Sequence, residues 1–141
     1  MLFRSGAGAA TSAPAWPETV TSLVEQYQQA EEFIAKVKIL KALTELKEAA
    51  ALDALRFLFL LETDEDLQVE TLFAMGTIPG PNVIQAIAVG LEEIYPTEVR
   101  LAAIIALEDV DRDEVIPVLT PLQDDPNPEI RQAAEIGRAH V

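Results

Sequence analysis

The chain has 141 residues and a formal net charge of −14, from 24 acidic and 10 basic residues, with half of its residues apolar and no cysteine. That is enough chain for one domain with its own core, and it is too apolar for an acidic disordered tail; the lack of thiols excludes disulfides, zinc–thiolate sites, iron–sulfur clusters and a cysteine nucleophile. A surface this acidic has the wrong sign for a phosphate backbone, so nucleic acid is not an expected partner.

In chain order, residues 1–16 hold no acid and many small side chains, and read as a flexible tail ahead of a single domain over 17–141. Arg4 is not followed by a continuous apolar segment, and the longest apolar run, Leu101 to Leu107, falls far short of the roughly 20 residues a membrane span needs. The expectation is a cytoplasmic protein without membrane association. Trp16-Pro17-Glu18 marks the first helix start, with proline at an early helical position and an acid beside it. From Glu18 to Leu46 the residues Val20, Leu23, Val24, Tyr27, Ile34, Val37 and Leu40 keep helical spacing without Pro or Gly. This stretch is one long helix or two; repeat arithmetic favours a bend near Ala30 to Glu32, with the first helix as a cap.

Breaks then recur at Thr63 to Asp66, Pro79-Gly80-Pro81, Tyr95-Pro96-Thr97, Asp111-Arg112-Asp113 and Asp124 to Pro128. No segment between them alternates with period two, so the fold class is all-α. The helices repeat. Val99-Arg100 with Ala102-Ala103, Ile105 and Ala106 recurs as Ile130-Arg131 with Ala133-Ala134, Ile136 and Gly137, and earlier as Val69-Glu70 with Leu72-Phe73, Met75 and Gly76. The intervening helices align through Leu52, Leu55 and Phe59 with Ile84, Ile87 and Leu91, and then with Ile116 and Leu119. A two-helix unit is therefore used about three and a half times. The expected core is Leu40, Leu43, Leu52, Leu55, Phe59, Leu72, Met75, Ile84, Ile87, Leu91, Ile105, Ile116 and Leu119.

The run Asp113-Glu114-Val115-Ile116-Pro117-Val118-Leu119, followed by Asp124-Asp125-Pro126-Asn127-Pro128-Glu129-Ile130-Arg131-Gln132-Ala133-Ala134, resembles the HEAT-like repeat named after phycobilisome lyases. The resemblance runs from about Asp66 to Gly137 and more faintly back to Phe33. It implies an α-solenoid of HEAT-like repeats. Its relatives by resemblance include bilin-attachment subunits, phycobilisome-degradation factors, hydroxylases and scaffolds, so it does not single out a function.

Individual residues narrow the choice. The di-iron hydroxylases of this repeat type need paired His-Glu motifs, and the one histidine here is His140. No catalytic residue, cofactor or metal is assigned. A bilin would need an acid for the pyrrole nitrogens and flanking aromatics, for which Asp53, Phe57 and Trp16 are the candidates. Arg100 and Arg131 sit at equivalent repeat positions and are expected to pair with acids of a nearby turn, Asp124, Asp125 or Glu98.

Acid is unevenly spread: residues 1–61 hold 7 acids and 6 bases, and residues 62–141 hold 17 acids and 4 bases. Clusters at Asp64, Glu65, Asp66 and at Asp124, Asp125 fall in inter-repeat loops and should share one edge of the solenoid, either as helix caps or as a docking edge for a basic partner. On the second helix of each repeat, the solvent-side arc is expected at Asp53, Arg56, Phe57 and Leu60, then Gln85, Val89 and Glu92, then Pro121. Its row Phe57, Val89 and Pro121 is apolar where water is expected. A basic peptide or protein, the chain's own first helix, or a second copy forming a homodimer could cover it. The leading functional expectation is a non-catalytic protein-binding scaffold, and the alternative is a subunit of a bilin lyase or a phycobilisome-associated factor.

Overall fold

The structure is a computed structural model that describes residues 15–139. The tail read at 1–16 lies outside the described residues up to position 14, as does His140. Among the described residues there are eight α-helices and no strand: α1 (Glu18–Gln29), α2 (Phe33–Leu46), α3 (Ala49–Leu61), α4 (Glu65–Gly76), α5 (Val83–Ala88), α6 (Thr97–Leu107), α7 (Arg112–Leu119) and α8 (Pro128–Ala139). Short 3-10 turns, Val89–Leu91 and Thr120–Asp124, prolong α5 and α7. No described helix is long and apolar enough to cross a membrane.

The helices form two layers. α2, α4, α6 and α8 stack in one layer, and α1, α3, α5 and α7 stack against it in the other. The pairs α2–α3, α4–α5 and α6–α7 with the half-unit α8 give the three and a half repeats, and α1 caps the second layer. Residues 18–46 are two helices: Ala30 and Glu32 are extended, which turns the chain at the place favoured by the repeat arithmetic. The next junction carries no Pro or Gly. Lys47 closes α2 there in the left-handed region at φ 50°, a conformation that glycine usually supplies.

α1 is fastened at its C-terminal end. The Tyr27 hydroxyl donates to the Glu62 carboxylate, whose other oxygen accepts the backbone N–H of Asp64 at 3.0 Å. Lys36 Nζ lies 5.0 Å from the Tyr27 ring centre and 4.0 Å from Glu62 Oε1. Burial, reinforced by the Glu62 charge, pushes the Tyr27 hydroxyl above the usual tyrosine range.

The core runs through both layers. Leu40, Leu43, Leu52, Leu55, Phe59, Leu72, Met75, Ile84, Ile87, Leu91 and Leu119 are buried as expected. Ile105 is not: it is 51% exposed, and its neighbour Ile104 is fully buried instead. α6 packs between α4 and α8 and also over α5, so nearly its whole circumference is covered. Only the arc through Leu101 and Ile105 faces out. The buried positions keep a constant spacing, Leu72, Ala103 and Ala134 on one line and Met75, Ala106 and Gly137 on another. Pairing Met75 with Ile105 is one residue short of that register. Ile116 is only half-buried, because α7 turns Val115 and Leu119, four residues apart on one face, inward.

Candidate partner-binding face

α3 buries Ala51, Leu52, Ala54, Leu55, Leu58 and Phe59, which occupy the side of the helix that meets α1, α2, α4 and α5. The remaining arc is the expected one: Asp53, Arg56, Phe57 and Leu60 are exposed together, with Leu61 beside them. Phe57 is 36% exposed, Leu60 49% and Leu61 56%. Further along the layer Gln85, Glu92 and Pro121 are exposed, whereas Val89, expected in the same solvent-side row, is half-buried because it packs against the core. Three large apolar side chains with this much open surface thus share one helix face.

Part of that contact is made within the chain. Trp16, two residues before α1, donates its indole N–H to Asp53 Oδ2 at 2.8 Å and meets the Phe57 ring edge-on, with centres 5.5 Å apart at 75°. The sequence reading placed Trp16 in the tail, yet its side chain packs on α3. The three residues that a bilin would call on are thus brought together, but in contact with one another, with one Asp53 oxygen taken by the indole. Beside them lies a cleft of about 440 Å³ between α3, α5 and the Pro79-Gly80-Pro81 loop. Asp53, Arg56 and Gln85 line it, together with the core residue Leu52 and with Asn82 and Ala86, which sequence reasoning did not single out. For Asn82 and Ala86 the adjoining Pro-Gly-Pro turn was the sequence signal; Gly80 adopts φ 138° there, which a side chain would oppose.

Of the five residues expected on an acidic edge, four are exposed and Asp125 is buried. The α3–α4, α5–α6 and α7–α8 loops all lead from the second layer to the first, so they share one end of the stack. Asp64, Glu65, Asp66, Glu92 and Asp124 are exposed there. Asp64 also caps α4, its Oδ1 accepting the Leu67 N–H at 3.1 Å. Asp125 is not part of the edge. It is buried and paired with Arg100, with Nη2–Oδ2 2.5 Å and Nη1–Oδ1 3.3 Å, while Arg100 Nε donates to the Leu91 carbonyl at 2.8 Å. A buried carboxylate needs such a partner, and the Arg100 guanidinium holds the Asp125 carboxyl below the usual aspartate range against the opposing effect of burial.

The same loop is stitched further. Asn127 Nδ2 donates to Thr97 Oγ1 at 2.8 Å, one repeat back, and Asn127 Oδ1 accepts the Glu129 N–H at the start of α8. Arg131, expected to pair with an acid, donates instead to the carbonyls of Asp125 and Pro126 at 2.8 and 3.2 Å. The Asp-Pro-Asn-Pro loop is therefore a lock between successive repeats.

A family model described as HEAT repeats matches residues 58–137, from the last turn of α3 to α8. The chain belongs to the HEAT-repeat family. HEAT repeats are commonly protein-interaction scaffolds. None of the curated proteins matches this HEAT-repeat chain.

Proposed function

We propose that this HEAT-repeat chain is a non-catalytic binding module whose α3–α5–α7 face takes a protein or peptide with a basic surface. The observation that supports this most directly is the exposed trio Phe57, Leu60 and Leu61 on a single helix face. Carboxylates border it at Asp53 and Glu92 and along the Asp64 to Asp66 edge. Apolar area withdrawn from water supplies affinity, about 25 cal/mol per Å² before the costs of association. The surrounding acids would steer a basic partner and reject acidic ones.

The test compares the wild-type chain with Leu60→Ser/Leu61→Ser, the two most exposed side chains of the trio, as bait in the native extract, each captured protein then being measured in purified form. Under this reading the double variant keeps its helical content and melting temperature and loses the partner at least about tenfold in affinity. Affinity also falls with salt, and Asp64→Asn/Glu65→Gln/Asp124→Asn slows association without changing the fold. A large drop in melting temperature, or in self-association by sedimentation, would reassign the face to an internal or homodimeric contact. The phycobilisome-lyase resemblance is tested by mixing the chain with a bilin: a new absorption band lost in Asp53→Asn would favour that alternative.

A further inference from the structure

Trp16 is the only tryptophan of the chain; it is half-buried at the edge of the core and reaches the open face of α3. Two features of α3 meet it. The Asp53 carboxylate accepts its N–H at 2.8 Å, and the Phe57 ring takes its edge. Only an aromatic side chain with a donor satisfies both at once: tryptophan or tyrosine does, and phenylalanine or leucine leaves the carboxylate without its hydrogen bond. Ala15, Trp16 and Pro17 carry this side chain on irregular backbone, outside any helix.

Past Asp53 the surface stays concave. The cleft between α3 and α5 begins there, and the Arg56 guanidinium on its wall makes no hydrogen bond or ion pair among the described residues. Gln85 faces the same space from α5, and Leu52 and Pro81 give it apolar walls. Residues flanking a bound aromatic would therefore find backbone-directed donors and apolar contact in line with the notch.

We propose that Asp53 and Phe57 form a recognition notch for an aromatic side chain bearing an N–H or O–H donor, which Trp16 fills from within the chain and which a partner's extended segment carrying tryptophan or tyrosine takes by exchange. This rests on the reading that the α3 face binds protein, and it adds the partner's anchor residue and the means by which the empty face is shielded.

The probe is a synthetic peptide of the chain's own residues 13–19, Ala-Pro-Ala-Trp-Pro-Glu-Thr, added to the full chain carrying Trp16→Ala, so that the peptide holds the only indole in solution. Its emission should shift to the blue and saturate, with affinity at least about tenfold higher than for the wild-type chain, where Trp16 competes. Adding Asp53→Asn, or replacing the peptide's tryptophan by phenylalanine, should weaken binding about fivefold or more. Equal affinity for wild type and Trp16→Ala, or indifference to Asp53→Asn, would overturn the proposal. Should Trp16→Ala fail to fold, the wild-type chain labelled with 5-fluorotryptophan serves: its fluorine resonance must move toward the solvent position as unlabelled peptide is added, and a resonance unmoved by excess peptide overturns the proposal equally. The two readings fail separately. Peptide exchange without capture of any protein at the face sinks the binding-module reading, and capture without exchange sinks the notch.

Discussion

The Arg100–Asp125 pair offers the sharpest test of the fold, because both side chains are buried and lie 25 positions apart on different repeats. Asp125→Ala leaves the guanidinium enclosed with only its Leu91 carbonyl contact. Stranding one member of a buried ion pair costs about 3–5 kcal/mol. The substitution also removes the acceptor for the Asn127 N–H, which holds the loop into α8 and is worth about 1 kcal/mol more. At about 3–5 °C per kcal/mol for a domain of this size, the melting temperature should fall by roughly 12–30 °C. Urea unfolding followed by far-UV circular dichroism measures the loss, and the exposed neighbour Asp124→Ala, expected within about 0.5 kcal/mol of wild type, is the control. Arg100→Met combined with Asp125→Leu should recover much of the stability, since apolar replacement removes both desolvated charges. The sign with pH also follows. Asp125 has a folded-state pKa below the ordinary 3.8, so its contribution is complete above that value and is lost as pH falls through the folded value. Wild-type stability should decline more steeply than that of Asp125→Asn only at such acid pH. If Asp125→Ala costs less than about 1 kcal/mol, no better than Asp124→Ala, the inter-repeat lock is not a determinant of the fold.

Two further perturbations test the packing. Ile87→Ala, at a fully buried site, should lose about 2–5 kcal/mol, whereas Ile105→Ala should stay within about 0.5 kcal/mol; equilibrium unfolding of both checks the assigned faces, and a cost below about 1 kcal/mol at Ile87 would show that its face is misassigned. Gly90→Ala brings a Cβ to 3.0 Å from both Leu72 methyl carbons and 3.3 Å from the Ala103 Cβ, so it should destabilise by about 1–3 kcal/mol; a stabilised Gly90→Ala would mean that the two layers yield there.

The repeat pattern was readable in the sequence because each helix pair buries equivalent positions, and equivalence leaves a period that one chain can show by itself. What it could not show was the phase of α6. A helix covered on nearly every side is apolar nearly all round, so Ile104 and Ile105 carry the same letter and only the neighbours decide which faces out. The exposed arc of α3 was legible for the opposite reason: Asp53 and Arg56 mark its outer side, and Phe57 and Leu60 lie at helical spacing from them. Asp125 was misplaced because an acid in an acidic loop reads as solvated, and nothing local separates it from Asp124; its fate is set by Arg100, which sequence reasoning had named as a partner without choosing the acid. The Trp16 contact with Asp53 spans 37 positions and obeys no period, so the sequence offered its members but not their meeting.

The two halves of the molecule are held by different chemistry, and that difference bears on where binding can be tested cleanly. The C-terminal repeats are closed by the Arg100–Asp125 pair, the Asn127–Thr97 bond and the close approach of Gly137 to Leu119, all of them across a repeat boundary. The N-terminal repeat instead carries the exposed apolar trio and the Trp16 clasp, in the part of the chain where acids and bases nearly balance, and its α3 forms one wall of the cleft. Each repeat touches mainly its neighbours, so stability in such an array is a sum of local and nearest-neighbour contributions. α3 lies against α1, α2, α4 and α5 and makes no part of the 100–125 lock. A substitution on its open face can therefore change recognition without loosening the C-terminal repeats, and a binding defect in a variant of the lock reports loss of the array rather than damage to the site.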